Sequence, residues 1–142
     1  MTAKTLEPIR PLARGQWLRL GATAAVAAIV AVLVVQSVIL AIWPDLSAFK
    51  PLDSLARSAI FTLLPTALAT ALFAWLAARR PQADQSFLRI ALIVLVVSFL
   101  PDYLIPVPAK SLLASTATAL LHAVAAAVIV PMLVTGYRRA AG

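Results

Sequence analysis

The chain has 142 residues, of which 63% are hydrophobic and only 12% charged, and its mean hydropathy is +0.98. A soluble domain carries about twice that charge fraction, so an ordinary water-soluble enzyme or binding domain is excluded. The net charge of +7 sits at the ends of apolar runs rather than on one soluble face, which argues against nucleic acid as a partner, and the lack of cysteine removes disulfides, thiolate chemistry, Cys-ligated zinc and iron–sulfur clusters.

Four apolar runs take up most of the chain, at about 17–43, 55–78, 87–105 and 111–137, each close to or above the roughly 20 residues that span a bilayer. The first follows Lys4, Arg10, Arg14 and Arg19. Its apolar part, Leu20–Trp43, is much longer than the 7–15 residues of a secretory signal core, so it reads as a retained first span. Gly21, Ala24, Ala25, Ala28 and Ala31 give it a close-packing surface, and Gln36 and Ser37 a polar spot. In the second run Ser58, Thr62, Thr66 and Thr70 recur every four residues, which puts them on one helix face. Pro65 has no amide to offer, so it leaves the carbonyl of Phe61 without its usual partner.

The third run is the weakest, with eleven apolar or small residues between Arg89 and Pro101. Ser98 and Asp102 lie four apart on it, and Pro101-Asp102-Tyr103 is expected at or near the outer interface. The segment "PVP" at 106–108 resists helix, and Ser111 is expected to cap the fourth run. On that run Ser111, Ser115, Thr118 and His122 share a face, and Pro131 frees the carbonyl of Ala127. The first and fourth runs, 27 residues each, would be about 40 Å long as helices, so tilt or protruding ends are expected.

Basic residues sort by side. Nine lie at the N-terminus, the second connection (Arg79, Arg80, Arg89) and the C-terminus (Arg138, Arg139), while Lys50, Arg57 and Lys110 lie opposite among Asp45, Asp53 and Asp102. The positive-inside rule then places both termini in the cytoplasm. Trp17, Trp75, Phe87 and Tyr137 are expected at the headgroup level of the inner face, and Trp43, Phe49 and Tyr103 at that of the outer face. Pro44-Asp45 and Arg79-Arg80 return as Pro101-Asp102 and Arg138-Arg139. Two parallel copies of a helical hairpin would give this echo, and so would the common grammar of membrane hairpins.

His122, the one histidine, is the central question. Pro65 and His122 are about equally far into their spans, so a neutral imidazole donating to the Phe61 carbonyl, Thr62 or Thr66 would tie the second span to the fourth. The alternative is a polar path lined by Ser58, Thr62, Thr66, Thr118 and His122 in a small oligomeric transporter or channel. Proton coupling there would want a second titratable group, and Asp102 is expected too near the outer surface to serve. Asp102 reads instead as an acid at the outer mouth, which caps a helix and balances nearby lysines, or joins Asp45 and Asp53 in a small anionic site. Haem would need His122 from two copies or Met132 as second ligand, so no cofactor is expected. With no nucleophile–base pair, phosphate loop or metal-ligand cluster, an enzyme is not expected either.

The basic N-terminus, the four spans and the motifs "TLLPTALATAL" and "LLHAVAAAVIVPML" resemble a family of small bacterial membrane proteins known as a domain of unknown function with four predicted helices. The resemblance covers residues 15–138 and implies that Pro65, His122 and Pro131 occupy characteristic positions. It implies the fold and brings no activity, substrate or cofactor. The expectation is thus an all-α integral membrane four-helix bundle, residues 1–142 forming one domain with both termini inside. Its partners would be the lipid bilayer, a second copy of the chain, or another membrane protein. The preferred role is a non-enzymatic assembly or interaction module.

Overall fold

The computed structural model describes residues 12–142, so Lys4 and Arg10 lie outside the described residues. Four helices follow in chain order: α1 (Arg14–Ile42), α2 (Leu55–Ala77), α3 (Ala83–Leu104) and α4 (Leu112–Ala141), with no strand among the described residues. Local chemistry sets their ends. The amide of Ala13 donates to Gln16 Oε1 (2.8 Å) at the start of α1, and Pro44 forces Trp43 out of the helix at its finish. Ser54 and Ser111 cap α2 and α4, each hydroxyl accepting an amide of the first turn, from Arg57 (3.3 Å) and Ala114 (3.0 Å). The Ser111 cap is the one expected from the sequence. Two short 3₁₀ turns, Pro44–Ala48 and Lys50–Leu52, join α1 to α2.

All four helices are long and apolar enough to cross a membrane. Each neighbour in the chain is a neighbour in space, α1 also packs along α4, and α2 and α4 stand across the diagonal of the bundle. An aromatic clasp fixes the antiparallel arrangement. Trp17 of α1 stacks on Tyr137 of α4 (5.7 Å between centroids), Phe73 of α2 stacks on Phe87 of α3 (4.4 Å), and Phe73 also touches Trp17 and Tyr137. Because Trp17 and Phe87 open their helices while Phe73 and Tyr137 close theirs, this end holds both chain termini. We call it the terminal end and the opposite one the distal end.

The clasp alters the expected role of the aromatics. Phe87 and Tyr137 face into the bundle at this end, at 1% and 8% exposure, rather than outward. Phe49 likewise lies in a second core at the distal end, where it packs with Leu46 and Leu52 of the 3₁₀ turns against α1 and α4. Trp75 does remain on the surface, with the Arg79 guanidinium 4.6 Å above its ring. Gln36, fully buried on α1, donates through Nε2 to the carbonyl of Leu52 (3.0 Å) and so pins the distal turns to the bundle.

α3 is the exception in this packing. Only 6% of its apolar window is buried, against 28%, 22% and 33% for α1, α2 and α4. Its buried residues, Ala83 and Phe87, both belong to the terminal end, and the distal half turns a broad apolar surface outward.

Candidate functional site

The hydroxyl stripe of α2 is a ladder along its own helix. Ser58, Thr62, Thr66 and Thr70 each donate to the carbonyl four residues back, at 3.3, 2.8, 2.7 and 2.8 Å. Thr118 of α4 does the same to Ala114 (3.1 Å). Ser58, Thr62, Thr66 and Thr118 are all buried, so each satisfies its O–H locally inside helix contacts. Pro65 lies on the exposed side of an unbroken α2, turned away from this ladder.

His122 takes a different partner from those expected. Its Nε2 stands 3.4 Å from Oδ2 of Asp102, on α3, rather than against Phe61, Thr62 or Thr66 of α2. Two features of the fold bring this about. The diagonal placement of α2 and α4 puts α3, not α2, against the His122 side of α4. The helix also continues through Pro101 to Leu104, with Ile105 N–H donating to the Pro101 carbonyl (3.1 Å), so Asp102 is helical and lies inside the span.

Asp102 thus stands in the last turn of α3, beside α4 rather than at the distal end of the bundle. It lies level with His122, the eleventh residue of α4, which is about 15 Å along that helix from its first residue. α3 ends well short of the distal end of α4, and residues 105–111 climb back to the Ser111 cap. Lys110 ties this climb down by donating from Nζ to the carbonyls of Tyr103 (2.6 Å) and Ile105 (3.1 Å).

The pair is asymmetric in exposure. The Asp102 side chain is 10% exposed, and its Oδ2 is buried without a hydrogen-bond partner. The His122 side chain is 43% exposed although Ser115, Thr118 and Ile129, on the same face of α4, are buried. The inward face of α4 thus opens at His122. One turn nearer the distal end, the Tyr103 hydroxyl meets Thr116 Oγ1 (3.2 Å), and one turn nearer the terminal end Ser98 donates to Leu95 (2.6 Å). Lys110, Tyr103–Thr116, Asp102–His122 and Ser98 form a polar seam between α3 and α4. Spacing within single helices could not reveal it, because the pairing depends on where α3 stops.

Other charged groups lie at the bundle ends. Arg138 donates from Nε (3.0 Å) and Nη2 (2.6 Å) to Oδ2 of Asp84 at the terminal end, and Arg57 pairs with Asp53 at the distal end. Among the described residues, no group of three or more His, Cys, Asp or Glu side chains is close enough to hold a metal ion.

Four helices, each long and apolar enough to cross a membrane, give the chain the pattern of a membrane protein. Residues 12–139 match a family described as Family of unknown function (DUF6069), and the chain belongs to that family. No curated protein and no solved structure matches it.

Proposed function

We propose that this is a small, non-enzymatic transporter or channel of the bacterial inner membrane, oligomeric and with both termini in the cytoplasm, that carries a small cation along the α3/α4 seam. The single observation behind this reading is the Asp102 carboxylate standing 3.4 Å from His122 within the spans. Ionisable groups in a membrane interior are costly and mark ion or proton pathways by default. The orientation rests on the seven described arginines at the terminal end, Arg14, Arg19, Arg79, Arg80, Arg89, Arg138 and Arg139, which face a single acid there, Asp84.

The assembly or interaction module is the second reading, favoured by the outward apolar face of α3. Proteoliposomes separate the two. Cation entry is followed with entrapped dyes for protons and for divalent metals under an imposed membrane potential. Transport requires flux above protein-free vesicles that Asp102→Asn and His122→Ala abolish while helicity and oligomeric state persist. Flux no greater than that of empty vesicles for both ions sinks the transport reading and leaves assembly.

A further inference from the structure

We propose that Asp102 and His122 form a binding site for a divalent transition-metal cation of the zinc class, with water completing the coordination. The inference rests on the transport reading only for what the site would serve, and names the class of cation it would take.

The geometry carries it in four steps. First, a charge-assisted N–H···O bond closes to about 2.7–2.9 Å. The 3.4 Å between His122 Nε2 and Asp102 Oδ2 is longer, and Oδ2 accepts no hydrogen bond. Second, two ligands each about 2.0–2.1 Å from a tetrahedral metal are about 3.3 Å apart. The observed separation fits that edge, so an ion can enter between the two atoms with little movement of either helix.

Third, the carboxylate has a charge partner in a protonated His122 but no hydrogen bond from it, and a metal ion held by both would take the place of that proton. Asp102 is nine-tenths buried and its Oδ2 accepts no hydrogen bond, whereas the nearby Lys110 is already committed to the carbonyls of Tyr103 and Ile105. A buried carboxylate oxygen without a hydrogen bond is expensive, and a metal ion offsets that cost. Fourth, the His122 side chain is 43% exposed, so the chain's own packing leaves room beside it for further ligands, which the proposal assigns to water. One imidazole and one carboxylate suit zinc, cobalt or nickel. Magnesium and calcium favour sites built mainly from oxygen ligands, and here the chain offers one carboxylate.

The test uses the full chain in nanodiscs, stripped with chelator and titrated with Co²⁺, then with Zn²⁺. The expected result is the visible absorption of low-symmetry Co²⁺ at one ion per chain, reversed by Zn²⁺ and unaffected by excess Mg²⁺. Asp102→Asn and His122→Gln should each reduce Co²⁺ binding at least tenfold. Asp53→Asn, at the distal surface, should leave it unchanged. His122→Cys guards against loss of fold: in a chain without cysteine, a new sulfur-to-cobalt charge-transfer band places the ion at position 122.

Failure to take up Co²⁺, or uptake that survives both Asp102→Asn and His122→Gln, overturns the proposal. Binding without flux in proteoliposomes keeps the site and removes transport. Proton flux without metal binding does the reverse.

Discussion

Replacing Gly21 with alanine tests the close approach of α1 to α2. A Cβ at Gly21 would lie 2.8 Å from Thr70 Cγ2 and 2.9 Å from its Oγ1. Carbon atoms prefer about 3.5–4.0 Å, so α1 and α2 would have to separate locally by roughly 0.7 Å or Thr70 would have to turn. Thr70 resists turning, because a β-branched side chain is stiff and its hydroxyl donates to Thr66 (2.8 Å). Overpacking of this kind costs about 1–3 kcal/mol, offset by about 0.5–1 kcal/mol from replacing glycine within a helix. The net expectation is a loss of about 0.5–2 kcal/mol.

The Thr70→Ala background removes both colliding atoms and leaves only Thr70 Cβ, at 3.2 Å, as a neighbour that must give slightly. There Gly21→Ala should be close to neutral. The four proteins are compared by reversible unfolding in mixed micelles of increasing SDS fraction, read by far-ultraviolet circular dichroism. Equal losses in the two backgrounds would mean that no contact couples the sites, and the close approach of α1 to α2 would be refuted.

Three further changes address the loops and the ladder. Gln36→Leu removes the donor to the Leu52 carbonyl in a buried site and should cost about 1–2 kcal/mol in the same unfolding assay; no loss would mean the distal turns are held without that bond. Ala109 adopts a left-handed backbone (φ 58°), which disfavours a side chain by about 1–2 kcal/mol. Ala109→Gly should therefore stabilise by about 0.5–1 kcal/mol after glycine's extra unfolded-state freedom is counted, and destabilisation would contradict that backbone. Thr66→Val keeps the shape of a fully buried side chain whose hydroxyl serves only its own helix. Stability should change by less than about 1 kcal/mol and cation flux not at all; a fall in flux would return the path to α2.

The four helices were legible because the signal is coarse: long apolar runs, basic flanks and the hydroxyl cap at Ser111 act locally. Spacing also placed Ser58, Thr62, Thr66 and Thr70 correctly on one face, but it could not say whether that face meets water or another helix. Pro101 lacks an amide, yet a helix can carry it through a last turn when the carbonyls beyond it find donors, here Ile105 N–H and Lys110 Nζ. With α3 ending at Leu104, well short of the start of α4 at Leu112, Asp102 comes level with His122. The partner of His122 then depended on which helices lie across the diagonal, a property of the assembled bundle that no single run encodes.

The position of Asp102 also says how the seam can respond. Pro101 leaves the Val97 carbonyl without its helical amide, one turn before the acid, and the distal half of α3 has almost no buried side chains. The carboxylate is thus carried by the part of the bundle least held by packing, while His122 rides on α4, which is fixed by both cores. Elements that move during function are drawn from regions of low local stability. A displacement of distal α3 would change the Asp102–His122 separation and the opening beside it together, leaving the aromatic clasp at the terminal end intact. A cation held between the two side chains would favour the closed position, since only there can both act as ligands. Binding and the movement of α3 are then two sides of one equilibrium.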